Sequence, residues 1–261
     1  MKLSAQALRG MKSQAPIAML TAYTAPVARC LEQAAIPVIL VGDSVGMVEM
    51  GLANTRAVLL EHMCYHVAAV RRGAPQTHLI GDLPYGSYDN PAAALASARA
   101  LIDAGADSVK LEGSLPQVIR QLVTSGIEVV GHTGLTPQTA ADFRQVGRAA
   151  EDAAHILQEA QQIAAAGAFL VVLEHIPAAL AARITAALAV PTIGIGAGAD
   201  CDGQVLVIND AIGLGEYWPP FSRQYAYVGR TITDVASAFR QEVQAGTFVN
   251  NVLRLRAGRA E

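Results

Sequence analysis

Charge and aromatic side chains are both scarce in this chain: 16% of its 261 residues are charged and 5% aromatic, against 52% hydrophobic. That balance excludes a disordered chain, which has little apolar content and much charge. Lys and Arg number 19 and Asp and Glu 22, a net charge of −3, so there is no basic surface for a nucleic-acid backbone. The shortage of aromatics also speaks against a stacking platform for single strands. Cysteine is rarer still. Cys30, Cys64 and Cys201 are an odd number without Cys-x-x-Cys spacing, which reads against a disulfide framework or a zinc site and fits a reducing compartment. The first residues, Met1-Lys2-Leu3-Ser4-Ala5-Gln6, lack the apolar run of a secretory signal. No uninterrupted apolar stretch reaches the ~18 residues of a membrane span. A cytoplasmic protein with neither membrane nor nucleic acid as partner is expected.

Ala, Val, Leu, Ile and Gly make up the bulk of the chain, arranged as short apolar runs that alternate with helix-like segments. The runs cover 17–23, 37–43, 77–83, 108–112, 128–132, 169–174, 192–196 and 204–209. They are β-branched and too short for helices, so they read as buried strands. Between them lie Ala-rich segments of helical period, such as 91–104 and 152–166, each followed by a helix-ending glycine, Gly105 and Gly167. Eight such units in a chain of this length predict a closed (βα)8 barrel rather than an open doubly wound sheet. No linker or composition break interrupts the pattern, so one domain over 1–261 is expected, with a terminal helix over 233–245.

Polar residues terminate the apolar runs. Asp43 and Ser44 end the second, Asp82 the third, Glu112 the fourth with Lys110 just before it, His132 the fifth and Glu174 the sixth. In a barrel these strand ends converge on one mouth, where active sites sit. Taken singly, each reads equally well as a helix cap or a solvated loop entry. Taken together they are a site. Several buried carboxylates repel one another, and a cation resolves the repulsion. Hard oxygen ligands without thiolate point to Mg2+, with Mn2+ or Co2+ as alternatives, on Asp43, Asp82 and Glu112. Such an ion leaves positions for a bidentate 2-oxo acid and polarises its keto oxygen, acidifying the adjacent carbon and stabilising an enolate. Glu174 is then the candidate general base and His132 a second catalytic candidate. Lys110 pairs with the substrate carboxylate, and Ser44 donates a hydrogen bond to it.

Other motifs carry less. His62 and His66 stand four residues apart, but Glu61 precedes the pair instead of following its first member as a metalloprotease requires, so packing or surface roles are expected. The glycine-rich stretch 194–198 (GIGAG) reads as a tight turn at the rim or a phosphate loop. Arg71 and Arg72 end a helix, where its dipole favours cations.

The segments 40–47 (LVGDSVGM), 65–73 (YHVAAVRRG), 109–113 (VKLEG), 131–138 (GHTGLTPQ), 191–198 (PTIGIGAG) and 202–207 (DGQVLV) occur in the order seen in one family. Over about 19–249 the chain resembles 3-methyl-2-oxobutanoate (ketopantoate) hydroxymethyltransferases. The resemblance implies a (βα)8 barrel of the phosphoenolpyruvate/pyruvate-binding superfamily. It also implies transfer of a hydroxymethyl group from 5,10-methylene-tetrahydrofolate to 3-methyl-2-oxobutanoate, giving 2-dehydropantoate. The family's metal carboxylates fall on Asp43, Asp82 and Glu112. Its substrate contacts fall on Asp43, Ser44, Asp82 and Lys110, and its proton acceptor on Glu174. A homo-oligomer, typically a decamer, is implied as well. The chain departs from the family pattern at Thr24, where Asp is usual, at 55–59 (TRAVL), in the shortened loop 143–148 (FRQVGR), and at Asn209-Asp210, where His-Asp is usual. The rival readings are a C–C lyase or mutase of the same superfamily and a 2-oxo acid binder without turnover.

Overall fold

The protein is described from a computed structural model covering residues 2–215 and 217–249. By its internal contacts the chain divides into two compact units, Met1–Ile208 and Asn209–Glu261. The first unit holds α1 (Ala5–Arg9), β1 (Ile17–Thr21), α2 (Ala25–Gln33), β2 (Val38–Val41), α3 (Val45–Val48), α4 (Leu60–Gly73), β3 (His78–Asp82) and α5 (Pro91–Asp103). It continues with β4 (Ser108–Glu112), α6 (Pro116–Thr124), β5 (Val129–Gly134), α7 (Ala150–Ala165), β6 (Leu170–Glu174), α8 (Ala178–Ala187), β7 (Thr192–Ile195) and β8 (Gly203–Leu206).

The eight strands form a closed parallel barrel in sequence order, with β8 hydrogen-bonded back to β1, so the expected (βα)8 fold is the observed one. Each strand lies on a run read from the sequence. Val38-Ile39-Leu40-Val41 is buried at every position, as a parallel strand covered on both faces must be. Inside the barrel, Met19, Val38, Leu40, Ile80, Val130, Val172 and Ile193 form one apolar cluster. Outside it, helices cover the strands with residues three and four apart, such as Ile156, Ala160 and Ile163 of α7.

Two features fix the ends of the barrel. At the end remote from the candidate site, α1 inserts Ala5 and Leu8 into the interior cluster. Ser4 caps this helix through the Ala7 N–H, and Lys12 Nζ reaches Asp202 Oδ2 at 2.8 Å. At five residues α1 is too short to show a period in the sequence. On β5, a Cβ at Gly131 would stand 2.1 Å from Ile163 Cγ2, so the approach of α7 leaves no room for a side chain there. β5 also runs two residues beyond its expected end, through Gly134.

In the second unit, α9 (Ile208–Ile212) overlaps the boundary and α10 spans Val228–Gln244. The expected helix over 233–245 thus starts five residues earlier, because Val228 and Ile232 extend the apolar period of Val235, Phe239 and Val243 by a turn. None of the residues of α10 is buried, and Ile232, Val235, Phe239 and Val243 are exposed. Within the described residues no helix is long and apolar enough to cross a membrane.

Candidate active site

Strand register assembles the charged residues. Asp82 of β3 is the register partner of Lys110 on β4, and Glu112 of β4 partners His132 on β5. Gly134, two residues further along β5, partners Glu174 at the end of β6. Register partners in parallel strands face the same side, so Asp82, Lys110, Glu112, His132 and Glu174 all point into the mouth above the apolar cluster. Asp43 follows β2 by two residues, and Ser44 directly precedes α3. The structure therefore brings all seven expected site residues to one end of one barrel.

The contacts form a chain. The Lys110 ammonium donates to both oxygens of Asp82 at 2.8 Å and lies 3.9 Å from Glu112 Oε1. Glu112 Oε1 lies 3.5 Å from His132 Nδ1, and His132 Nε2 lies 3.3 Å from Glu174 Oε2. Both are ion-pair distances, and neither imidazole nitrogen completes a hydrogen bond. The backbone N–H of Asp43 donates to Asp82 Oδ2 at 3.2 Å. The Glu174 side chain is 18% exposed while those of Asp82 and Glu112 are 2% and 3%, so Glu174 is the one of these three open to an incoming molecule. His175, directly after it, has φ 46°, a left-handed conformation that turns the chain sharply away.

Burial dominates the electrostatics. It pushes the Asp43 carboxyl well above the ordinary carboxylate range, and the Asp82 charge adds to the rise. Asp82 is also raised, chiefly by burial, in spite of Lys110. For Lys110, burial favours the neutral amine, but the charges of Asp82, Glu112 and Asp43 outweigh it and hold the ammonium above its usual range. His132 follows the same logic. Burial and then Lys110 depress it, yet the flanking Glu112 and Glu174 carry its pKa up to about 9. Burial would raise Glu112, but His132 and Lys110 bring it below its usual value. The cost of crowding buried carboxylates thus falls on Asp43 and Asp82, whose ionised forms are disfavoured.

Three residues not singled out in the sequence complete the mouth. Gln138, wholly buried after β5, donates from its amide to Asp43 Oδ2 at 2.8 Å and to the Leu83 carbonyl at 3.0 Å. Its backbone N–H donates to Glu112 Oε2 at 3.1 Å. The Tyr88 hydroxyl donates to the Gln138 amide oxygen. Tyr23, also buried, hydrogen-bonds Ser44 through its hydroxyl at 2.8 Å. The only sequence signal for Gln138 was its place at the end of the 131–138 motif.

Asp43 and Asp82 offer hard carboxylate oxygens in a desolvated place where a cation would stabilise their ionised forms, a donor set that fits Mg2+ or a similar hard cation. Among the described residues no three His, Cys, Asp or Glu side chains are gathered closely enough to hold a metal by themselves. Any ion there would draw further oxygens from water or substrate.

The remaining motifs take structural roles. His62 Nδ1 accepts from the Leu59 N–H, and His66 Nδ1 lies 2.8 Å from the Tyr23 carbonyl. Arg71 bonds the carbonyls of Ala74, Thr77 and Gly105 and pairs with Asp107 at 2.6 Å. In the glycine-rich stretch, Gly196 (φ 60°) and Gly198 (φ 82°) are left-handed, and a Cβ at Gly198 would meet Ala178 Cβ at 2.4 Å, as in a tight turn against α8. The cysteines are free thiols.

Known proteins fit this picture. The solved structure of phosphonopyruvate hydrolase complexed with oxalate and Mg++ matches with a TM-score of 0.64 at 13% identity, covering 99% of both chains. Phosphoenolpyruvate phosphomutase from Streptomyces platensis subsp. rosaceus matches with a TM-score of 0.64 at 15% identity, covering 95% of this chain and 90% of its own. These likenesses concern the fold. In sequence, a 3-methyl-2-oxobutanoate hydroxymethyltransferase from Pyrobaculum islandicum is 45% identical over 243 residues, 91% of this chain and 93% of its own length. One from Thermosynechococcus vestitus is 48% identical over 241 residues, 89% of this chain and 92% of its own. The family model for ketopantoate hydroxymethyltransferase matches residues 2–251. The chain belongs to the ketopantoate hydroxymethyltransferase family.

Proposed function

We propose that this protein transfers a hydroxymethyl group from 5,10-methylene-tetrahydrofolate to 3-methyl-2-oxobutanoate, giving 2-dehydropantoate. Family membership supports the reaction class, and one observation carries the chemistry: two adjacent buried carboxylates, Asp43 and Asp82, are raised by burial and, for Asp43, by its neighbour's charge. In this reading Asp43 and Asp82 hold a divalent cation, Mg2+ or else Mn2+ or Co2+, with Glu112 as the third carboxylate of its surroundings. When bound, such an ion supplies Lewis-acid polarisation of the keto oxygen, acidifying C3.

The protein's own groups do the rest. Lys110 keeps its charge and spends two hydrogen bonds on Asp82, leaving a third N–H for the substrate carboxylate. The Tyr23 and Ser44 hydroxyls are hydrogen-bonded, and with Tyr23 as the donor the Ser44 hydroxyl proton is free for the same carboxylate. Glu174, the accessible acid, takes the C3 proton, and C3 then forms its new bond to the folate-borne carbon. His132, charged and 3.3 Å away, fixes the Glu174 carboxylate and serves as the second proton-transfer group. One water balances the transfer. Both bonds from the transferred carbon to the folate nitrogens break; the water oxygen becomes the new hydroxyl, the two water hydrogens restore the nitrogens, and the proton held by Glu174 completes the hydroxyl. The family resemblance and the exposed apolar stripe of α10 support a homo-oligomeric state.

The deciding experiment is an NMR assay in heavy water with 3-methyl-2-oxobutanoate and Mg2+ but no folate, followed by turnover with the folate added. Loss of the C3 proton signal and formation of 2-dehydropantoate are expected. No exchange would overturn the carbanion route, and substrate cleavage instead of transfer would favour a lyase.

A further inference from the structure

We propose that Gln138 is a positioning residue of this site: its amide, braced by Tyr88 and the Leu83 carbonyl, holds Oδ2 of Asp43 and turns that carboxylate toward the cation and the 2-oxo acid. The inference rests on the cation reading above and goes further by assigning a residue that touches none of the reacting atoms.

Gln138 makes five hydrogen bonds at complete burial. The two amide hydrogens go to Asp43 Oδ2 at 2.8 Å and the Leu83 carbonyl at 3.0 Å, and the amide oxygen accepts from Tyr88. Its backbone N–H goes to Glu112 Oε2 at 3.1 Å, and its carbonyl accepts from Arg56 Nε at 2.9 Å. Every donor and the amide acceptor are in use. Only one amide orientation works. Asp43 and Leu83 present acceptors, so a flipped amide would set its oxygen against both. The Leu83 carbonyl thereby sets the face that Gln138 shows to Asp43, and Tyr88 braces the amide oxygen from behind.

A residue needed only to fill space would be apolar, since an amide at complete burial is stable only when all its bonds are made. Two of the five bonds instead end on carboxylates of the site, Asp43 and Glu112. Arg56 and Tyr88 come from the loops after β2 and β3 and tie the segment after β5 across the mouth to both. Partners that orient ligating carboxylates typically change metal affinity or activity by about 10- to 100-fold when removed.

The test compares wild type, Gln138→Met and Tyr88→Phe. Circular dichroism checks the fold, electron paramagnetic resonance follows Mn2+ binding to the unloaded protein, and exchange of the C3 proton in heavy water gives kcat and KM for 3-methyl-2-oxobutanoate. Gln138→Met keeps the volume without the donors. It is expected to weaken Mn2+ binding about 10- to 100-fold and to raise KM in step. Tyr88→Phe keeps the amide but leaves its buried oxygen without a donor, loosening its hold on Asp43, and a smaller loss in the same direction is expected. Wild-type Mn2+ affinity and KM in Gln138→Met overturn the proposal, even if its melting temperature falls. Should that variant not fold, the same result in Tyr88→Phe overturns it. A wild-type protein that binds no Mn2+ removes the cation reading and this inference together, whereas wild-type binding with unaffected variants removes this inference alone.

Discussion

Asp82 and Lys110 face each other across one register step of the barrel, 2.8 Å apart and nearly dry. Removing one partner of such a pair leaves the other charge buried and uncompensated, at a cost of about 3–5 kcal/mol. Asp82→Ala is therefore expected to lower the urea midpoint and to abolish Mg2+ binding and turnover together. Glu174→Gln should behave differently. Because Glu174 is partly exposed and outside the Asp82–Lys110 pair, that variant should keep its fold and its 2-oxo acid binding in calorimetry while turnover drops about 10²- to 10⁴-fold. Full activity in Glu174→Gln would remove it from the mechanism. These acids were legible in the sequence because a carboxylate ending an apolar run is costly unless used. Gln138 was not, since an uncharged amide in a loop looks ordinary until its partners, 95 and 55 residues away in sequence, are seen around it.

Among the elements, β5 carries the most constraint. Gly131 lets α7 approach until a Cβ would stand 2.1 Å from Ile163, and the next residue is His132. Gly131→Ala is expected to cost about 1–3 kcal/mol of stability by overpacking. It should also lower kcat by shifting His132, measured by urea unfolding and steady-state kinetics. An unchanged midpoint would show that α7 yields freely. All eight strands were readable because buried parallel strands are short, β-branched and continuous. Their ends were less so. β2 stops at Val41, leaving Asp43 on the turn into α3, and β5 runs on to Gly134. Whether a polar residue closes a ladder or follows it depends on the neighbouring strand. α1 and α3, five and four residues long, carry no readable period.

For the whole molecule, buried titratable groups make stability depend on pH at both extremes. At the end remote from the site, Asp202 accepts from Lys12 Nζ at 2.8 Å, the Ser13 N–H at 3.0 Å and the Thr192 N–H at 2.9 Å. Burial alone would raise its carboxyl, but these bonds hold it below the usual range. A depressed folded pKa contributes stability that is present above the unfolded value, about 3.9, and lost as pH falls through the folded one. The stability gap between wild type and Asp202→Asn should therefore be open near neutrality and close in acid. His132 has the opposite sign. Its folded pKa of about 9 lies above the unfolded value of about 6.5, so its contribution is complete below about 6.5 and is lost as pH rises through 9. The gap between wild type and His132→Asn should close toward alkaline pH. Urea midpoints from acid to alkali test both, and gaps that do not vary with pH would sink the assignments. A solution mass by light scattering near ten times that of one chain would support the decamer implied by the family. The sequence by itself determined the strands, the barrel and which acids are costly to bury, because periodicity and the desolvation of charge are local properties. Only the tertiary structure decided that Lys110 neutralises Asp82, that His132 lies between Glu112 and Glu174, and that Gln138 holds Asp43. Those pairings follow from strand register and loop closure, which join residues far apart in the chain.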